Sequence, residues 1–256
     1  MVGFVLFVLG MGENEISQYI SYLAVKKNVS ASTQNQALNA VVFLYKQVLN
    51  RDLGDFGNMQ RAKRPKNLPT VLTKNETNLV LTVMSGTNAL MAKLLYGCGL
   101  RLMECFRLRI KDIEFNINQV TVRDGKGHKD RVTMLPRQLK QCLTEHLGRV
   151  RIIHEEDLKH GLGEVYLPYA LSRKYPYAAK EWYWQYVFPS KKISRDPRSG
   201  KYRRHHANET ALQRAVRNAA KFVGILKPVS PHTFRHYAQF QIMRSNGQKT
   251  RYSLAA

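Results

Sequence analysis

Residues 119–135 read Gln119-Val120-Thr121-Val122-Arg123-Asp124-Gly125-Lys126-Gly127-His128-Lys129-Asp130-Arg131-Val132-Thr133-Met134-Leu135. β-Branched and apolar residues alternate with polar ones on either side of a glycine-rich centre, and a period of two fits strands rather than helices. Asp124-Gly125 supplies turn chemistry between the two runs, so the stretch is expected to fold as a β-hairpin. Gly125 and Gly127 let the backbone turn tightly and leave the Lys126 ammonium projecting from a narrow finger.

On both sides of this hairpin the periodicity turns helical. Helices are expected around Ala89 to Tyr96 and Arg101 to Arg109, then on Leu139, Leu143, Leu147 and Val150, and again on Leu212, Ala215, Val216 and Ala219. Further upstream, Thr73 and Glu76 form a capping box ahead of Leu79, Val80 and Val83. From Ser32 to Leu49 the apolar positions Leu38, Val41, Val42, Tyr45, Val48 and Leu49 recur at helical spacing after a polar Ser-Thr-Gln-Asn opening. A shorter helix with Ile16, Ile20 and Leu23 on one face precedes it, and the two make a helical module too small to stand alone. Between the modules, Gly54, Gly57, Pro65 and Pro69 punctuate a run carrying Arg61, Lys63, Arg64 and Lys66, either a solvated linker or a strap lying on phosphates. The fold class that follows is mainly α with a small antiparallel β-sheet, with a boundary near residue 68.

Of the 256 residues 44% are hydrophobic, enough to bury a core and to exclude a disordered or collagen-like chain. Lys plus Arg number 41 against 18 Asp plus Glu, a net charge of +23, so nucleic acid is the first partner to expect. Charge alone leaves DNA, RNA, the ribosome and an anionic membrane surface open. Cys98, Cys105 and Cys142 are too few and too scattered for a disulfide framework or a zinc site, which fits a reducing cytoplasm. The apolar opening, residues 1–10, is shorter than the roughly twenty residues a bilayer span needs, and it lacks the basic start and cleavage site of a signal peptide. No membrane association is expected. The opening reads either as a buried strand or helix end or as a replaced N-terminus.

Four basic residues sit where they could meet an anion. Arg101 follows Gly97 and Gly99 at the start of a helix, beside the free N–H groups of its first turn. Ser230-Pro231 is an N-cap followed by proline at the first helical position, and beyond it His232 and Arg235 share a helix face. Lys126 is the fourth. Two guanidiniums can neutralise the non-bridging oxygens of a phosphodiester in its pentacovalent transition state, because the planar fork matches phosphate geometry. A lysine can protonate the departing 5′ oxygen and a histidine can relay a proton. That chemistry requires no metal and no cofactor. The pattern of a nucleotide-hydrolase phosphate loop is absent, and Asp112, Glu114 and Asp130 do not form an obvious two-metal set. A basic run holds Lys191, Lys192, Arg195, Arg198, Lys201, Arg203 and Arg204 against the single acid Asp196, so its cations are expected in solvent or, preferably, on phosphate.

These residues resemble tyrosine recombinases. Gly99-Leu100-Arg101-Leu102-Met103-Glu104 is similar to the first-arginine box, Gly125 to Arg131 to the lysine hairpin, and His232-Thr233-Phe234-Arg235-His236 to the His-x-x-Arg box, in the family's order. Tyr166-Leu167-Pro168 through Lys174-Tyr175-Pro176, Glu181-Trp182-Tyr183-Trp184-Gln185-Tyr186-Val187-Phe188-Pro189-Ser190 and Arg203-Arg204-His205-His206-Ala207-Asn208-Glu209-Thr210 resemble the insertion that marks integron integrases. Ser32 to Leu38 and Phe43-Leu44-Tyr45 are similar to that subfamily's core-binding helix.

The resemblance implies a C-shaped clamp on DNA: a partial helical core-binding (SAM-like) domain at 11–50, a basic linker at 51–68 and a tyrosine-recombinase catalytic domain at 69–236 with an integron-type insertion at about 160–206. It implies gene-cassette integration and excision by phosphodiester strand transfer, on duplex DNA and a folded single-stranded site, by a tetramer in a bacterial cytoplasm. Arg101, Lys126, His232 and Arg235 would activate the phosphate, with Glu104 in support. Trp184, Pro197, His205 and His206 would hold flipped bases, each stacked base being worth about 1–3 kcal/mol, and Lys191, Lys192, Arg203 and Arg204 would meet phosphate. Read without the resemblance, Trp184 can also be an ordinary core tryptophan.

The family's nucleophile is a tyrosine hydroxyl roughly thirty residues after the second arginine, which forms a 3′-phosphotyrosine link. Counted from Arg235 that position falls beyond residue 256, and neither Tyr237 nor Tyr252 is expected to serve. Residues 237–256 lack the Leu-Gly-His and Ile-Tyr-Thr-His segments, and residues 1–10 stand where the family has further helices. A truncated or frameshifted, catalytically inactive member is therefore expected. The alternatives are a non-catalytic DNA-binding remnant, interfering or assembling with an intact homologue, and a pseudogene product. With the first helices replaced, apolar surface at Val41, Leu44 and Tyr45 is expected to be exposed.

Overall fold

The structure is a computed structural model that describes residues 12–54, 60–62, 70–123, 129–168 and 171–235. Residues 1–10, residues 237–256 and the hairpin tip with Lys126, all carrying expectations above, lie outside the described residues. The chain divides into two compact units, Met1–Leu68 and Pro69–Ala256.

In the first unit, α1 (Glu13–Val25) begins where the Glu15 carboxylate accepts the Gly12 N–H at 2.8 Å. Helix α2 (Ala31–Phe43) runs on through a π-helical turn, Leu44–Val48. Its cap is Ser30, whose hydroxyl accepts the Thr33 N–H at 3.2 Å, so the helix starts just ahead of the Ser32 opening read from the sequence. Ile16, Ile20 and Tyr45 form the core of this unit, with Leu23, Ala37, Leu38, Val41 and Leu49 packed on it. Of the three positions expected to be uncovered, Tyr45 is only 3% exposed, because α1 supplies Ile16 and Ile20 against it, while Val41 and Leu44 are half-buried. Gln34 is buried too, donating to Ile20 O at 3.0 Å and Gln60 O at 2.7 Å and accepting from Ala62 N at 2.9 Å.

The second unit is mostly helical with a small antiparallel sheet, as the periodicities imply. The Thr73–Glu76 capping box opens α3 (Lys74–Val83), with Glu76 N to Thr73 Oγ1 at 3.2 Å and Thr73 N to Glu76 Oε2 at 2.7 Å. Helix α4 (Gly86–Cys98) stops at Gly99, whose φ of 63° is a left-handed conformation that glycine adopts without penalty. The chain then turns into α5 (Leu102–Arg107). Strands β1 (Ile113–Glu114), β2 (Gln119–Val122) and β3 (Arg131–Met134) form the sheet, and β2 and β3 pair with Gln119 opposite Met134 and Val122 opposite Arg131. Helices α6 (Lys140–Lys159) and α7 (Glu209–Phe222) complete the frame, followed by a helical segment over 231–235. Leu94, Leu95, Leu100, Phe106, Val120, Leu135, Leu143, Phe188, Leu212 and Phe234 are buried together in one core.

Between α6 and α7 the chain is irregular. It makes a helical turn at Leu171–Lys174, single turns at Ala178–Lys180 and Trp182–Trp184, and a short hairpin of β4 (Ser194–Arg195) and β5 (Tyr202–Arg203). Val165, Leu167, Ala178, Ala179 and Tyr186 give it a small core of its own. Backbone bonds from Ile110 N to Gln185 O (3.1 Å) and Val187 N to Leu108 O (2.9 Å) fasten it to the segment after α5. Among the described residues no helix is long and apolar enough to cross a membrane.

Candidate functional site

The first turn of α5 places Arg101 at the N-cap and Glu104 three residues on, and the Glu104 carboxylate reaches back to accept the Arg101 N–H at 2.6 Å. That carboxylate collects two further chain segments. Arg101 Nη1 donates to Oε1 at 2.6 Å; Arg131, the first residue of β3, donates from Nη1 to Oε1 at 2.8 Å and from Nη2 to Oε2 at 2.6 Å. Arg235, in the helix that Pro231 starts, reaches Oε2 with Nη1 at 3.4 Å. Three guanidiniums therefore converge on one carboxylate whose side chain is 8% exposed.

Burial alone raises the Glu104 pKa. The hydrogen bonds from Arg131 and then from Arg101 outweigh it and hold the carboxyl at about 2. For Arg235, burial lowers the pKa, and the Arg101 charge beside it acts in the same direction. Three positive groups share one negative one, so the cluster carries a net positive charge that an added anion would relieve. The Arg101 and Arg131 side chains are 36% and 34% exposed and can meet a ligand from solvent, whereas Arg235 is 12% exposed.

His232 lies one helical turn before Arg235 and is exposed. It lines a cleft of about 660 Å³ with Arg217, Lys221, Ser230 and Thr233. Its helix is capped at its start by Thr233, whose Oγ1 accepts the Ser230 N–H at 3.1 Å. The structure thus brings Arg101, Glu104 and Arg235 together and puts His232 on the helix that carries Arg235; Lys126 belongs to the undescribed tip. Arg131 does not stand out in the sequence as a site residue, although it closes the quoted hairpin motif. Its one signal is a cation at a strand start facing the Arg101 helix.

A second set of residues organises the insertion. Arg109, 8% exposed, donates from Nη1 to Trp184 O and from Nη2 to Tyr166 O, both at 2.6 Å, with its guanidinium 4.7 Å from the Tyr186 ring centre. Buried Asp112 accepts the Arg109 N–H at 3.0 Å and Arg123 Nε at 2.7 Å. Trp184 is half-buried against the Val165, Leu167 and Tyr186 cluster, and Lys111 Nζ lies over its ring, 3.1 Å from the centre. His206 is half-buried, edge-on to Tyr186 at 5.5 Å with Nδ1 2.9 Å from Ala207 O, and His205 is half-buried beside it. Pro197 stands exposed in the β4–β5 turn, and Lys191 and Lys192 are exposed.

Arg203 and Arg204 correct one expectation. Arg204 makes a two-pronged pair with Asp157 of α6, Nε to Oδ2 and Nη2 to Oδ1, both 2.6 Å. Arg203 Nη1 donates to Asp196 at 2.9 Å, and its Nη2 lies 3.7 Å from Glu164. The Arg204 and Arg203 side chains are 16% and 11% exposed. The basic run is therefore not left wholly to solvent or phosphate. Carboxylates outside it, Asp157 and Glu164, make burial of these two cations possible. Asp157 has a legible signal: it continues the buried stripe Leu143, Leu147, Val150 and His154 of α6, and a carboxylate on an apolar face calls for a cation.

Residues 70–250 match the model of the phage integrase family, and residues 8–55 match that of the phage integrase N-terminal SAM-like domain. The chain belongs to the phage integrase family of tyrosine recombinases. The family match runs past His236 into the 237–256 stretch. An integrase/recombinase of Escherichia coli is 43% identical over 235 residues, covering 92% of this chain and 70% of that protein. The tyrosine recombinase XerA of Thermococcus onnurineus is 32% identical over 146 residues, 55% of this chain and 51% of its own. Among solved structures, the XerH recombinase bound to palindromic difH substrate aligns with a TM-score of 0.55 at 18% identity, covering 93% of this chain and 60% of that one. The Tn1549 transposon integrase in complex with transposon right-end DNA aligns with a TM-score of 0.57 at 14% identity, covering 92% and 74%. At those identities the two structures speak to the shared fold.

Proposed function

We propose that this chain grips DNA phosphodiester links for site-specific strand exchange, with Arg101 and Arg235 on the non-bridging oxygens, Glu104 setting their geometry, Lys126 protonating the departing 5′ oxygen and His232 relaying a proton. The observation that carries the reading is the convergence of Arg101 and Arg235, from opposite ends of the catalytic unit, on one carboxylate. A carboxylate that takes hydrogen bonds from both fixes the two forks side by side without neutralising them, which is what a doubly bonded anion needs.

The finer reading is of the integron integrase type: gene-cassette integration and excision, with duplex DNA and a folded single-stranded site as partners and assembly of several subunits on DNA. Its support is the likeness of the 160–206 insertion and the ring surface of Trp184 and His206 gathered around Tyr186. Pro197 and His205 would flank the flipped base, and Lys191 and Lys192 would meet phosphate. Arg203 and Arg204, paired with Asp196 and Asp157, would hold the insertion's shape instead.

Neither Tyr237 nor Tyr252 has the sequence surroundings of the family nucleophile, so neither is proposed as the attacking hydroxyl. The experiment is incubation with a suicide substrate bearing an integron hairpin site, read on a denaturing gel, beside a binding titration with the hairpin and with random duplex. Preference for the hairpin without a covalent adduct is the expected result. A covalent adduct overturns the exclusion of these two tyrosines, and equal affinity for the two DNAs overturns the integron-type reading.

A further inference from the structure

Lys111 and Trp184 are far apart in sequence and are brought together by Arg109, which binds the Trp184 carbonyl while Asp112 holds the backbone of the turn on which Lys111 sits. The Lys111 ammonium lies 3.1 Å from the centre of the Trp184 ring, a distance it can reach only from above the ring plane. A stacked base needs carbon contacts at about 3.5–4.0 Å over that same plane. The ammonium and a base cannot share the face. Trp184 packs on the cluster of Val165, Leu167, Ala178, Ala179 and Tyr186, so displacement falls to the lysine, whose unbranched stem carries more rotatable bonds than the indole.

We propose that Lys111 is a gate on Trp184: a base flipped out of DNA stacks on the indole by displacing the Lys111 ammonium, which swings to a neighbouring phosphate. The inference rests on the base-capture reading of Trp184 given above. The ammonium is poorly placed where it is: burial lowers its pKa to about 8, and the Arg123 charge adds to the effect. A phosphate offers the displaced side chain a new partner that makes good part, but not all, of the contact it gives up. The gate makes Lys111 a specificity-determining residue. In free protein it covers an aromatic surface that would otherwise take any exposed base, and it yields only where base and phosphate arrive together.

The test uses two DNA hairpins, identical except that one carries an unpaired 2-aminopurine where the other carries an abasic residue. The ratio of their affinities measures base capture. Lys111→Met keeps the apolar stem and removes the competing cation. It is expected to raise that ratio by up to about five-fold, the full worth of an exposed cation–π contact. It is also expected to flatten the slope of log affinity against log salt by about 0.9, as one phosphate goes without its cation. Lys111→Arg keeps the wild-type ratio. An unchanged or lower ratio in Lys111→Met, with wild-type preference intact and lost in Trp184→Leu, overturns the gate alone. No wild-type preference for the 2-aminopurine hairpin, or one that survives Trp184→Leu, overturns base capture at Trp184 and the gate with it. Should Trp184→Leu fail to fold, quenching of 2-aminopurine emission on wild-type binding reports the stacking, and unquenched emission overturns both.

Discussion

Glu104→Gln removes the carboxylate shared by Arg101, Arg131 and Arg235 while keeping its size. The amide can still accept at its oxygen, but its NH2 group faces guanidinium donors, and three positive charges remain with no counter-charge. Holding the Glu104 carboxyl at about 2 rather than 4.5 corresponds to roughly 3 kcal/mol in favour of the folded chain at neutral pH. Because Arg101 and Arg131 are one-third exposed and partly screened by water, about 2–3 kcal/mol is the expected loss. For a chain of this size that lowers the melting temperature by roughly 4–12 °C. A depressed carboxyl stabilises above its unfolded pKa and ceases to as pH falls through its folded one. The gap between wild type and variant should therefore be full at pH 7 and narrow between pH 4.5 and about 2. Differential scanning calorimetry across that range is the assay. A melting temperature within 2 °C of wild type at neutral pH, against the several degrees that about 2–3 kcal/mol requires, would show that the Glu104 charge does not hold the cluster in the folded chain.

Asp157→Asn should cost about 3 kcal/mol by stranding Arg204 in a nearly buried site, and should leave the salt dependence of DNA binding unchanged; thermal melts and a salt titration check the two halves. Arg109→Met leaves the Trp184 and Tyr166 carbonyls without their donor, about 1–3 kcal/mol each if they stay buried, and the insertion loosens first. Limited trypsin digestion should then cut within 160–206 faster than elsewhere, and an unaltered digestion pattern would contradict the clamp.

The elements are legible from periodicity where periodicity is long. The stripes of α6 and α7, the alternation of β2 and β3, and the Thr73–Glu76 box can each be read because the signal lies within one stretch of chain. Strand β1 cannot, since two residues carry no period. The site divides the same way. Arg101, Glu104 and Arg235 stand out by their places at helix starts, but Arg131, Arg109 and Lys111 act on partners brought to them by the fold. Arg203 and Arg204 mislead for a related reason: charge in a run says nothing about carboxylates dozens of residues away.

If the guanidiniums around Glu104 receive a DNA phosphate, Arg101→Ala must change how binding responds to salt, because Arg131 and Arg235 still satisfy Glu104 without it. The measurement is the slope of log affinity against log salt for DNA binding by wild type and variant. The variant's slope should be shallower by about 0.9 for each phosphate that Arg101 neutralises. An identical slope, with binding intact, would contradict it.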